Sequence, residues 1–181
     1  GQAQRVADAI PQEQLDALPL GRLDFIGMNI YNSVMVRAGK NGKPEFCPRA
    51  AGHPRTAIGW PVTPGSMEGG TRFVWERYGL PIYITENGIS CTDSIHLDGK
   101  VHDPARIDFI HRYLLSLRRA IDGGVDVRGY FHWSLLDNFE WSEGYNERFG
   151  LIYLDYATGK RTPKDSAVWY ANVAETNGKN L

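Results

Sequence analysis

Residues 81–88 read PIYITENG, and the architecture follows from how this short run sits among its neighbours. Pro81 to Glu86 is a compact apolar strand, closed by the Asn87–Gly88 turn. Upstream, DFIGMNIY (24–31) is a second apolar run, bounded by Gly21 before it and Asn32–Ser33 after it. A polar, Gly- and Pro-rich excursion then extends from Arg37 to about Pro64, and at that length it is expected to be functional rather than idle. SMEGGTRFVWERY (66–78) reads as a helix with Gly79 at its C-terminal cap, weakened by Gly69–Gly70.

Downstream, Ile107, Ile110, Leu114, Leu117 and Ile121 recur at helical spacing. Asp103 is the candidate cap of this helix, Pro104 suits its first turn, and Gly123–Gly124 stops it. GYFHWSL (129–135) is the third strand, and a last helix is expected from about Pro163 to Thr176, capped by Thr162 and ended by Asn177–Gly178. Strands and helices therefore alternate, and strands apolar on both faces imply a parallel sheet covered by helices. The strands begin 57 and 48 residues apart. At that spacing an eight-stranded barrel needs roughly 400 residues, so three units cannot close one, and an open sheet leaves two unpaired edges.

Composition narrows the classes further. The 181 residues carry a net charge of -1, with 42% hydrophobic and 23% charged residues, which excludes disordered, collagenous, disulfide-scaffold and strongly basic nucleic-acid-binding chains. No run is apolar and long enough for a membrane span, and residues 1–20 contain no apolar signal core, so a cytoplasmic protein is expected. Cys47 and Cys91 stand in no metal or redox spacing, and the five histidines show no ligand pattern, so neither metal nor cofactor is expected.

Aromatic residues make up 12% of the chain, including five Trp. They concentrate with acids in HWSLLDNFEWSEGY (132–145), directly after the third strand. Indole faces stack on the C–H faces of sugars, and carboxylates accept hydrogen bonds from vicinal hydroxyls, so a carbohydrate is the ligand class this mixture suits. Glu86, at the carboxyl end of its strand, stands where parallel α/β folds build their sites, as a candidate acid, base or nucleophile. The plainer reading makes it a turn cap or an Arg partner. His132 should face away from its neighbour Trp133, towards packing. Asp137 and Asn138 are expected to brace the loop, and Glu143, Arg148 and Lys160 to be solvated charges.

DFIGMNIY (24–31), IGWPVTPGS (58–66), LPIYITENGIS (80–90), HDPARIDFIHRYL (102–114) and VRGYFHWSLLDNFEWSEGYNERFGLIYLDY (127–156) together resemble the carboxyl-terminal portion of glycoside hydrolase family 1, the β-glucosidases and β-galactosidases. The resemblance implies one segment, residues 1–181, of a single (β/α)8 TIM barrel: strands six to eight with their helices, incomplete on its own. It also implies retaining hydrolysis of terminal β-linked sugars through a covalent glycosyl-enzyme. Glu86 matches the nucleophile and Tyr31 the phenol that hydrogen-bonds it. Trp133 matches the platform under the sugar, Glu140 and Trp141 the pair that recognises the 4- and 6-hydroxyls, Phe149 a nearby wall, and Trp60 the aglycone-side aromatic.

Ile30, His132 and Ser66–Met67 depart from the family pattern and bear mainly on aglycone contacts. The family's acid/base sits in an N-E-P block at an earlier strand, and no N-E-P occurs here. The implied partner is therefore a complementary barrel segment, supplied as a second chain or a cleaved part, without which the chain should be inactive. Glu140 could be nominated as the second carboxyl from its position alone, but hydroxyl recognition favours its ionised form. The competing function is a non-catalytic carbohydrate-binding or scaffold fragment.

Overall fold

The computed structural model describes residues 9–17 and 23–181, so the reading of residues 1–8 and 18–22 lies outside it. In chain order the elements are α1 (Gln12–Ala17), β1 (Ile26–Asn29), β2 (Val36–Ala38), β3 (Pro44–Phe46), α2 (Gly65–Tyr78), β4 (Ile82–Asn87), α3 (Pro104–Asp122), β5 (Val127–His132), β6 (Ile152–Leu154), β7 (Arg161–Pro163) and α4 (Asp165–Glu175). β1, β4 and β5 form a parallel sheet with β4 in the centre. No described helix is long and apolar enough to cross a membrane.

Ile82 and Ile84 on β4 are fully buried and pack with Phe109, Ile110, Tyr113, Leu114 and Leu117 of α3, Met67 of α2 and Val173 of α4. The α3 stripe is rotated from the expected one, because Phe109, Tyr113 and Ala120 are buried while Ile121 is 45% exposed. The Gly69–Gly70 pair does not break α2. Gly70 instead leaves room for Ile30, whose Cδ1 lies 3.5 Å from where a Cβ would stand. Gly79 closes that helix in the left-handed conformation, its N–H donating to the Trp75 carbonyl at 2.8 Å.

Other expectations need correction. Among the described residues helices cover the sheet on one face only, and Phe25 and Phe131, at its two outer strands, are more than half exposed. The excursion after β1 is not structureless, because β2 and β3 pair as an antiparallel hairpin within it. Thr162 and Pro163 belong to the antiparallel β6–β7 hairpin, so α4 starts only at Asp165 and Thr162 cannot cap it.

The cap of α4 comes from elsewhere in the chain. Asp103 makes no side-chain cap on α3; its Oδ1 accepts from the Ser166 N–H at 2.8 Å, and its Oδ2 from the Ser166 hydroxyl and from Arg106. One buried carboxylate thus joins the feet of two helices, satisfying an amide that the first turn of α4 would otherwise leave orphaned.

Candidate active site

The three parallel strands end together, and the residues just past their carboxyl ends face one another. Asn29 of β1 is in register with Glu86, and the Ile30 N–H donates to the Glu86 carbonyl at 2.9 Å, which carries the parallel ladder up to Tyr31. On the other side the Trp133 N–H donates to the Asn87 carbonyl at 2.8 Å. The buried Asn87 amide locks the junction: its Nδ2 donates to the Ile30 carbonyl and its Oδ1 accepts from the Tyr130 hydroxyl. Gly88 is obligatory beside it, because a Cβ there would overlap the Trp133 carbonyl oxygen.

Tyr31, Ile58, Trp60, Glu86, Trp133, Glu140, Trp141, Ser142, Glu143 and Phe149 line one open cleft of about 540 Å3. All seven residues singled out in the sequence are among them. The Tyr31 hydroxyl donates to Glu86 Oε2 at 2.7 Å, and among the described residues the Glu86 carboxylate caps no turn and pairs with no arginine. Burial, reinforced by the bonded Glu86 carboxylate, pushes the Tyr31 phenol well above its usual range, which keeps it a donor. Tyr31, Trp60 and Phe149 stand mutually edge-on or tilted, with ring centroids 5.3 to 6.3 Å apart, as one wall.

Across the cleft, Trp133 Nε1 donates to Glu140 Oε2 at 3.2 Å, which holds that carboxylate over the edge of the indole. Trp141 beside it is 80% exposed. Among the described residues the lining carries three carboxylates, Glu86, Glu140 and Glu143, and no basic side chain. Such a cleft offers aromatic faces and hydroxyl acceptors together and repels anions.

Trp60 reaches this place through a compact turn. Thr56 and Trp60 exchange hydrogen bonds, and Ser90 accepts from the N–H groups of Ala57 and Ile58 through its carbonyl and hydroxyl. Ser90 lies four residues beyond Glu86, so the Trp60 wall is tied to the chain leaving β4.

Several residues carry more than the sequence suggested. Tyr113, which reads as one more core residue of α3, donates to the Tyr31 carbonyl at 2.9 Å and accepts from the Thr63 N–H. Glu143, expected to be a solvated charge, lines the cleft. Arg148, also expected in solvent, pairs with Asp137 at 2.6 Å and lies 4.0 Å over the Tyr153 ring. The expected bracing by Asp137 is present, and Asn138 contributes by accepting from Ser134. His132 faces packing as anticipated, near Tyr170 of α4, and burial depresses its pKa to about 3.

Comparison with known proteins is consistent throughout. The family model described as glycosyl hydrolase family 1 matches residues 2–179. Beta-glucosidase A of Thermotoga maritima is 44% identical over 160 residues, covering 87% of this chain and 35% of the relative. A 6-phospho-beta-galactosidase of Streptococcus equi subsp. zooepidemicus is 38% identical over 174 residues, covering 84% of this chain and 37% of the relative. Structures of the Thermotoga maritima beta-glucosidase with glucoimidazole and with deoxynojirimycin each superpose with a TM-score of 0.83 at 41% identity, over 95% of this chain and 39% of theirs. The chain thus spans about a third of the length of the curated relatives it matches.

Proposed function

This chain belongs to glycosyl hydrolase family 1, and from that premise we propose that it supplies the nucleophile and the sugar-recognition side of a retaining β-glycosidase. Its sheet and helices are part of a (β/α)8 barrel, and we place them as the sixth to eighth units of one barrel domain. The observation that carries the reading is the Tyr31–Glu86 hydrogen bond inside an aromatic cleft. A donated hydrogen bond favours the ionised carboxylate that an attack on an anomeric carbon requires.

In the proposed reaction Glu86 displaces the aglycone and forms a glycosyl ester, which water then opens. Retention requires a second carboxyl about 5 to 5.5 Å from the first, protonating the leaving oxygen and then activating the water. Glu140 is held by Trp133 as a recognition group, so the acid/base is assigned to a complementary barrel segment. Trp133 forms the platform, Glu140 and Trp141 bind the 4- and 6-hydroxyls, and Trp60 and Phe149 bound the aglycone side. Three carboxylates without a cation among the described lining residues favour an unphosphorylated sugar, even though one relative is named a 6-phospho-beta-galactosidase.

The test has three arms. The chain alone should not hydrolyse an aryl β-glucoside, whereas co-expression with the complementary part of a family 1 barrel should restore turnover. In that assembly Glu86→Ala should abolish hydrolysis, and mass spectrometry after a 2-fluoro-glycoside should find the label on Glu86. Label on Glu140, or full turnover by the chain alone, would overturn the assignment. Sugar binding without any turnover in the assembly would favour a non-catalytic carbohydrate-binding role.

A further inference from the structure

We propose that Asp137 and Lys164, a buried pair outside the cleft, are positioning residues that aim Glu140 and Trp141 at the sugar. This rests on the sugar-cleft reading above and deepens it. Asp137 is 1% exposed and Lys164 is 1% exposed, and neither touches the cleft. Asp137 Oδ1 accepts from Lys164 Nζ at 2.8 Å and from the Gly150 N–H at 3.0 Å. Its Oδ2 accepts from Arg148 at 2.6 Å and from the Leu154 N–H at 3.3 Å. One carboxylate therefore fastens both feet of the loop that spans residues 138–149.

Between those feet the recognition residues have little packing of their own. Trp141 is 80% exposed and Phe139 is 55% exposed, and Glu140 is held by Trp133 and by its N–H to the Gly144 carbonyl. Part of the loop's deeper support runs through the same network, beside the Ser134 and Tyr156 hydroxyls that donate to Asn138. Arg148 lies over Tyr153 and Tyr156, Tyr156 meets Tyr145, and Tyr145 meets Phe139 edge-on, directly behind Glu140. Lys164, the residue just before α4, ties Asp137 in turn to Asp93, which also pairs with Arg106.

Lys164, Arg106 and Arg148 balance Asp93, Asp103 and Asp137 in one network. Burying six charges is a poor source of stability, because apolar residues of similar volume often do as well. Its geometry is directional where apolar packing is not, and here the direction is the height and tilt of the loop carrying Glu140.

The test uses the co-expressed assembly and tryptophan fluorescence, since Trp60, Trp133 and Trp141 line the cleft. The probes are deoxynojirimycin and its xylose-configured analogue, which lacks the hydroxymethyl group. Lys164→Met should raise the Kd for deoxynojirimycin about tenfold, the loss of one charge-assisted hydrogen bond, and raise that for the analogue, which keeps only the 4-hydroxyl of the pair, by a clearly smaller factor. The charge-balanced double substitution Asp93→Asn with Lys164→Met should give the same selective loss. Equal weakening of both probes, or no weakening, in a folded variant overturns the positioning role. Failure of both variants to fold makes the pair a folding requirement and overturns it too. If the unsubstituted assembly binds neither probe, the sugar-cleft reading itself fails and this inference falls with it.

Discussion

The Tyr31 hydroxyl and the Glu86 carboxylate meet at 2.7 Å although 55 residues separate them. Parallel pairing of β1 with β4 brings them together, because register places Asn29 opposite Glu86 and the two chains leave the sheet side by side. Tyr31→Phe keeps the ring and deletes the donor. A hydrogen bond to a charged group is worth about 1.5 to 3 kcal/mol, so labelling of Glu86 by a 2-fluoro-glycoside in the co-expressed assembly should slow by about ten- to a hundredfold. An unchanged labelling rate would detach Tyr31 from the chemistry.

Gly88→Ala places a methyl group against the Trp133 carbonyl, and backbone cannot swing aside as a side chain can. The expected cost is roughly 1 to 3 kcal/mol, read as a lower Tm or urea midpoint. Gly69→Ala is the contrast, since nothing lies within 4 Å of its added methyl and the residue is inside α2. That variant should gain about 0.5 to 1 kcal/mol. Equal behaviour of the two would contradict the close approach at the strand ends.

Charge in the cleft sets a third expectation. A 6-phosphorylated aryl β-glucoside should bind at least about tenfold more weakly than its unphosphorylated counterpart, and Glu140→Gln should narrow that gap. Competition against deoxynojirimycin fluorescence reads both. A phosphorylated ligand that binds equally well would place Glu140 away from that end of the sugar.

A pH effect follows from His102, whose side chain is 40% exposed and which does not line the cleft. Its Nδ1 faces Asp165 at 2.6 Å and its Nε2 faces Asp98 at 3.0 Å, with the His96 ring edge-on at 5.1 Å. Two ionised carboxylates accept only when both ring nitrogens carry protons, so Asp165 first and Asp98 second raise the imidazole pKa above its ordinary value of 6.5. The stability this clip adds is complete below 6.5, the unfolded value, and lost as pH rises through the raised folded value. Tm should therefore fall across that window in the unsubstituted chain and fall less in His102→Gln. Parallel curves for the two would dismiss the clip.

The sequence revealed β4, α3 and the placement of the aromatic block because each rests on local pattern: a short apolar run before Asn–Gly, a helical stripe, and indoles beside acids. It also led to the seven cleft residues, through blocks that only make sense together. What it concealed depends on partners distant in the chain. The α4 cap is Asp103, 63 residues before Ser166, and no local rule points there. Arg148 reads as a loop charge until Asp137 and two tyrosine rings close around it. Tyr113 looks like core because its ring is core, and only its hydroxyl reaches Tyr31. The β6–β7 strands are three residues each, too short for alternation to declare itself.

Ser90 gives the molecule a modular seam. The Trp60 indole is fastened to the same backbone that carries Glu86, so the two shift as a unit. Anyone exchanging this region for that of a cousin should transplant positions 56–60 together with position 90. The neighbouring hairpin tip, where Lys40 to Gly42 lies outside the core, can be shortened or rewritten independently.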